Sequence, residues 1–215
     1  MSKVYSNSFC NISAAAAPDG NSSMFNDRLP DAIFPEIVNF SPVDKASSQY
    51  LVLDDDFWDT EVSRANVNTR AWVLQERLLS TRILSFGQSQ LCWECNEKQA
   101  AEIYPLGLPG QGNAQIKLKS LFNQTMQHPH PEVRDGDPSR ALAMWANILD
   151  AYTSCNLSFP SDRLVAISSI AEKMKPLIDG EYIVGMWHYC LEAQLVWCSL
   201  DDSLPRPKYR APSVS

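Results

Sequence analysis

Cys92 and Cys95 stand three apart in LCWEC, the CxxC spacing shared by zinc sites and thiol redox motifs, and His128 and His130 of HPHP would add two imidazoles. The same five residues also read as a β-strand. In a strand, side chains three apart leave opposite faces, so the two sulfurs could neither hold one ion nor bridge. Buried thiols are the expectation, with no metal and no cofactor, and HPHP reads as a solvated loop. His188 and Glu192 are four apart on an expected helix, which suits an exposed ion pair or hydrogen bond better than a general base. Asp54, Asp55 and Asp56 lack the DxDxDG spacing and the later bidentate Glu of a calcium loop. Glu76 and Glu94 each lie near a tryptophan, Trp72 and Trp93, where a raised carboxyl pKa would suit acid or base chemistry. Arg70, Arg77 and Arg82 are close in sequence, and structural ion pairs are the competing reading. No GxSxG elbow, Walker P-loop or GxGxxG is present, and no residue is assigned a catalytic role.

The elements that must carry these residues follow from periodicity. From Thr69 to Ser80 the spacing predicts a helix with Ala71, Trp72, Leu74, Leu78 and Leu79 on one arc and Arg70 and Arg77 opposite. Gln75 projects into the middle of that arc. An unbonded amide there would cost roughly 1 to 3 kcal/mol, so Gln75 is expected to bond either a neighbouring backbone or a ligand. RILSF and LCWEC flank the turn GQSQ and read as a hairpin, with Leu84 and Phe86 on one face and Leu91, Trp93 and Cys95 sharing a face, all expected in the core. The acidic cluster Asp54, Asp55, Asp56, Asp59 and Glu61 leads into a short helix near Asp56, and QIKLKSLFNQTM forms another.

Three longer helices are expected in the second half. One has Asp137 as N-cap, Pro138 at the first position, and Ala141, Leu142, Met144, Trp145, Ile148, Leu149 and Tyr152 on its apolar face, ending near Thr153. The second is capped by Ser161 or Asp162, buries Leu164, Ile167, Ile170, Ala171 and Met174, and stops before Pro176. The last runs from about Tyr182 to Cys198. The class expected is α+β, mostly helical with one β-hairpin. Four segments are delimited: 1–103 with helix and hairpin, a loop-rich connection at 104–138, helices over 139–200, and a Pro-rich tail at 201–215.

With 215 residues, 45% of them hydrophobic, the chain can bury a core of its own. Its apolar runs fall short of the roughly 18 to 20 residues a bilayer requires, and Ser and Asn interrupt any signal-like start, so a cytoplasmic protein without a membrane partner is expected. Six cysteines are too sparse for a disulfide scaffold. A formal charge of −7 opposes a nucleic-acid partner.

Arg70, Trp72, Leu74, Gln75, Glu76, Arg77, Leu79 and Ser80 reproduce a block usually written R-x-W-T-x-Q-E-x-x-L-S, with Val73 in place of Thr. RILSFG and QLCWEC, which brings in Trp93, Glu94 and Cys95, continue the pattern through FPSDRLVAISSIA, YIVGMWHYCLEAQLVWCS and YRAPS. The chain thereby resembles the fungal heterokaryon-incompatibility (HET) domain, and MSKVYSNSF resembles that family's M-x-x-V-Y segment. The family's earlier S-Y-x-W-G and W-I-D-x-x-C-I-x-Q blocks have no counterpart, so the C-terminal part of such a domain, a fragment, is expected. The resemblance implies a signalling module of non-self recognition and incompatibility cell death, acting through an unidentified protein partner or by self-association. It also implies a fold similar to Toll/interleukin-1 receptor domains, some of which cleave NAD; a NAD-cleaving hydrolase is the alternative reading, by fold analogy.

Overall fold

The computed structural model describes residues 2–29, 33–41, 48–52, 54, 56–108, 117–127, 138–178 and 180–196. Helix α1 (Ser2–Asn7) and strand β1 (Asn11–Ser13) come first, then the hairpin of β2 (Glu36–Phe40) and β3 (Ser48–Val52). A π-helical turn, Asp59–Ser63, and a 3-10 turn, Asn66–Thr69, lead into helix α2 (Ala71–Leu79). Strands β4 (Arg82–Phe86), β5 (Leu91–Cys95) and β6 (Gln99–Ala101) follow, then helices α3 (Lys117–Gln127), α4 (Ser139–Thr153) and α5 (Arg163–Met174). The small hairpin of β7 (Tyr182–Ile183) and β8 (Met186–Trp187) and helix α6 (Leu191–Leu195) are the last described elements. No helix among the described residues is long and apolar enough to cross a membrane.

The class is mixed helix and sheet, as expected, but the strand content exceeds one hairpin. Four strands form a sheet in the order β1-β4-β5-β6, with β1 parallel to β4 and the other pairs antiparallel. Segments as short as NIS and QAA offer too few alternations to announce a strand; they pair because β4 and β5 present open edges to them. The predicted hairpin is present, with Leu84 opposite Trp93 and Phe86 opposite Leu91.

The expected faces of that hairpin need correction. Ile83 and Ser85 of β4 and Cys92 and Glu94 of β5 are buried, while Leu84, Phe86, Leu91, Trp93 and Cys95 are only half-buried. The covered face therefore carries a serine and a carboxylate. Alternation alone cannot say which face a helix will cover.

The larger core joins Leu74 and Leu78 of α2 to Phe122 of α3, to Met144, Trp145, Ile148 and Tyr152 of α4, and to Ile167, Ile170 and Met174 of α5. A smaller one gathers Trp58, Val62, Cys92 and Ala101. Helix α2 is thus the element shared between the helical layer and the sheet. Trp72, expected in the core, packs against it only partly buried. Leu164, expected in the stripe of α5, is 42% exposed; Ala166 takes its place, because the first turn of α5 projects past the core. Asp162 occupies the N-cap position of α5 in helical backbone geometry without a side-chain cap bond, and Asp137 lies outside the described residues.

The expected helix from Tyr182 is mostly absent. Val184 and Gly185 both have positive φ, +48° and +95°, as a two-residue type I′ hairpin turn requires, and they fold Tyr182–Ile183 back on Met186–Trp187. The turn lets Trp187 bury completely beside Trp145 and Tyr182, with ring centroids 5.8 and 5.0 Å away, and Trp145 Nε1 donates to the Gly185 carbonyl at 3.3 Å. Helical structure resumes only at Leu191, so His188 is an exposed turn residue whose amide donates to the Glu181 carbonyl rather than a member of a helix with Glu192.

Candidate functional site

The block from Arg70 to Ser80 is positioned from both ends. Arg70 is extended and exposed, and the chain before α2 is tied to the helical layer by Ala71 N donating to Asn156 O at 3.0 Å and Asn156 N donating to Thr69 O at 2.7 Å. At the other end Ser80, 1% exposed, donates its hydroxyl to the Glu76 carbonyl at 2.7 Å and closes the helix. Ala71, Leu74, Leu78 and Leu79 are buried as the wheel predicts. Gln75 is buried too, at 1% exposure, but its Oε1 has no hydrogen-bond partner among the described residues. The expected bond is not made by this oxygen, although the neighbouring Leu74 and Leu78 pack into the core of the helical layer.

The polar side of α2 faces the sheet across a cleft of about 110 Å³, lined by Asn11, Ser13, Glu76, Arg77, Ser85 and Glu94 among others. Arg77 reaches over β5, donating Nε to Glu94 Oε2 at 2.8 Å and Nη2 to Glu94 Oε1 at 3.1 Å. Gln99 of β6 donates Nε2 to the same Oε1 at 3.1 Å. Burial alone would raise the Glu94 carboxyl, but the charges of Arg77 and Lys119 and the bonds from Arg77 and Gln99 outweigh it and hold the group below its ordinary value. The ion-pair reading of Glu94 is therefore the observed one, with Arg77 as partner. Arg82 instead donates to the Phe9 carbonyl at 3.3 Å, its guanidinium 4.9 Å from the centre of the Phe9 ring.

Glu76 behaves oppositely. Half-burial raises its carboxyl pKa, and a hydrogen bond from the Tyr5 hydroxyl and the charge of Arg70 only partly offset that. Burial, and then the bond and charge of Glu76, push the Tyr5 phenol up to about 12. Tyr5 of α1 thus stands beside Glu76 of α2. Two carboxyls in one cleft, shifted in opposite directions, could divide acid and base roles, but each is already bonded to protein groups.

Sequence reasoning missed two buried charges. Lys119 of α3 is 2% exposed, near enough to Glu94 and Arg77 for their charges to act on it. Its position one turn before Phe122 on the buried side of α3 was the available signal. Glu61, read only as part of the acidic cluster leading into a short helix, is 6% exposed inside the π-helical turn, where it accepts the Ser89 hydroxyl and amide from the β4–β5 connection. It lies at a second cavity of about 230 Å³ with Glu36, Asp54, Phe57, Gln90 and Tyr104.

The thiols divide as the pleat requires: Cys92 is buried and Cys95 half-buried on the other face, both free. Burial, then the charges of Glu61, Glu102 and Glu94, push the Cys92 thiol up to about 12, which removes it as a nucleophile. Cys190 is exposed, against the expectation of core thiols. Among the described residues no group of three His, Cys, Asp or Glu is placed to hold a metal ion. His128 and His130 lie outside the described residues.

No curated protein and no solved structure matches the chain. A family model does match, over residues 1–76, and that span runs from α1 to Glu76, the carboxyl that receives the Tyr5 hydroxyl. The further segments expected to continue the pattern, RILSFG and QLCWEC onward, lie beyond it. The matching family is described as heterokaryon incompatibility protein (HET), and residues 1–76 of this chain are similar to it.

Proposed function

We propose that the chain is a signalling and interaction module of heterokaryon incompatibility, serving fungal non-self recognition and cell death through a cytoplasmic protein partner, and that it is not itself a NAD-cleaving enzyme. The observation that carries this reading is how the polar groups of the cleft are used: Arg77 and Gln99 both bond Glu94, and Glu76 stands beside Tyr5. Cavities of about 110 and 230 Å³ also fall below the roughly 300 to 1,000 Å³ of sites that enclose small-molecule ligands. The alternative rests on analogy with Toll/interleukin-1 receptor domains, a likeness at the level of fold. Exposed apolar residues within the matched span, among them Val38, Phe40, Tyr50 and Val52 of the β2–β3 hairpin, suit contact with another protein better than catalysis.

Incubating the purified chain with NAD tests this directly. No release of nicotinamide is expected, and measurable turnover that disappears in Glu76→Gln would replace the proposal by the enzymatic reading. In a fungal host, induced expression is expected to arrest growth, and to do so equally in the Glu76→Gln variant.

A further inference from the structure

Helix α3 carries a buried amine close enough to feel a cluster in which one cation already holds one carboxylate. Glu94, 3% exposed, is committed to Arg77 through two hydrogen bonds and to Gln99 through a third. Lys119 of α3 is 2% exposed, and its Nζ has no hydrogen-bond partner among the described residues. The groups that act on the amine are Glu94 and Cys95 of β5, Arg77 of α2, and Cys10 just before β1. Asp59, half-buried in the π-helical turn, acts on Arg77. A protonated amine at this position loses its hydration, gains no hydrogen bond and meets a guanidinium already holding the nearest carboxylate. A neutral amine avoids all but the lost hydrogen bonds.

We infer that Lys119 is an acid-sensitive release on helix α3: a proton gained by its buried, unpartnered amine loosens the helix from its packed position, and a proton lost lets it dock. Geometry locates the device, and the direction of titration agrees with it. Burial first, partly opposed by Glu94 and reinforced by Arg77, lowers the Lys119 amine to about 8. The free chain value is 10.5, so the destabilising contribution is complete below about pH 8 and fades as pH rises from there toward 10.5. The released helix would carry Lys119 out of its buried place and into water.

Amide hydrogen exchange of the full chain between pH 7 and pH 9.5, read as protection factors corrected for base catalysis, tests the device. In the parent chain the protection of α3 relative to α4 and α5 is expected to rise on the order of tenfold across that range. Lys119→Met keeps the apolar stem and removes the charge, so its α3 is expected to be well protected already at pH 7 and flat in pH. Lys119→Arg keeps the charge throughout and should leave α3 weakly protected at every pH. The series is repeated with Cys10→Ser and Cys95→Ser, because both thiols stand close enough to act on the amine. Protection that is independent of pH in the parent in both thiol backgrounds, or the same profile in parent and Lys119→Met, overturns the inference; should Lys119→Arg fail to fold, that comparison still decides.

Discussion

Arg77 and Glu94 meet in a two-bond fork, Nε to Oε2 at 2.8 Å and Nη2 to Oε1 at 3.1 Å, that joins α2 to β5 across the cleft. Glu94 is 3% exposed, so removing either partner strands the other charge in a poorly hydrated place. Arg77→Met is expected to destabilise the chain by roughly 3 to 5 kcal/mol at pH 7, measured by urea denaturation. The double variant Arg77→Met with Glu94→Leu should recover most of that loss. Additive losses would mean the two residues act through separate contacts.

The same pair sets an acid dependence. The Glu94 carboxyl lies below its ordinary 4.5 in the folded chain, so its stabilising contribution is complete above about pH 4.5 and is lost as pH falls through the lower folded value. Glu76, whose carboxyl is raised, has the opposite sign: its contribution is present below pH 4.5 and lost as pH rises through the higher folded value. Glu76→Gln keeps an oxygen that can accept the Tyr5 hydroxyl and removes the charge. The melting temperature of that variant is expected to be at or above the parent's at pH 7, with the advantage gone at pH 3.5. A loss at pH 7 would show that the charge itself holds α1 in place.

Much of α2 and of the β4–β5 hairpin was legible, because both have enough repeats of one period for apolar positions to define a face. What periodicity could not supply was the identity of the covered face and the use of polar residues on it. Glu94 alternates with Trp93 and looks like the solvent side, yet α2 delivers Arg77 to it and makes it the buried one. Lys119 and Glu61 occupy positions a wheel marks as inward, and their charge alone suggested otherwise. The β7–β8 hairpin was hidden for a different reason. YIVGMW has a helix-compatible apolar spacing, and Val184 is a residue whose side chain opposes the backbone its turn needs.

Gln75 offers a direct test of an overturned expectation. Its Oε1 is buried and unbonded among the described residues, so the amide contributes a desolvation cost in place of the anticipated tether. Gln75→Met, close in length and free of the buried dipole, is expected to stabilise the chain by about 1 kcal/mol in urea denaturation. Destabilisation by a similar amount would restore the tether and point to a partner for Oε1.

Val184 holds φ at +48° with a branched Cβ, a conformation that costs roughly 1 to 2 kcal/mol in an L-residue and is favoured for asparagine in this turn. Its side chain is 66% exposed, so little packing is forfeited by replacing it. Val184→Asn before Gly185 is therefore expected to raise stability by about 1 kcal/mol, with the near-ultraviolet circular dichroism of Trp145 and Trp187 unchanged. A lower stability with altered tryptophan signals would mean that Val184 is held in this geometry by a contact its side chain makes.

Gly87, where β4 turns toward β5, tests the other buried carboxylate. A Cβ added there would stand 2.1 Å from Glu61 Oε2 and 2.8 Å from the Gln90 carbonyl oxygen, and the second of these is backbone that a side-chain rotation cannot clear. Glu61 has little freedom to retreat, since the hydroxyl and amide of Ser89 both bond its carboxylate. Gly87→Ala is expected to destabilise by roughly 1 to 3 kcal/mol, as overpacking does elsewhere. Combining it with Glu61→Ala separates the two obstacles. If Glu61 is the principal one, the double variant should lose little more than Glu61→Ala alone; if the Gln90 backbone is, the two losses should add, and the hairpin turn itself would set the need for glycine.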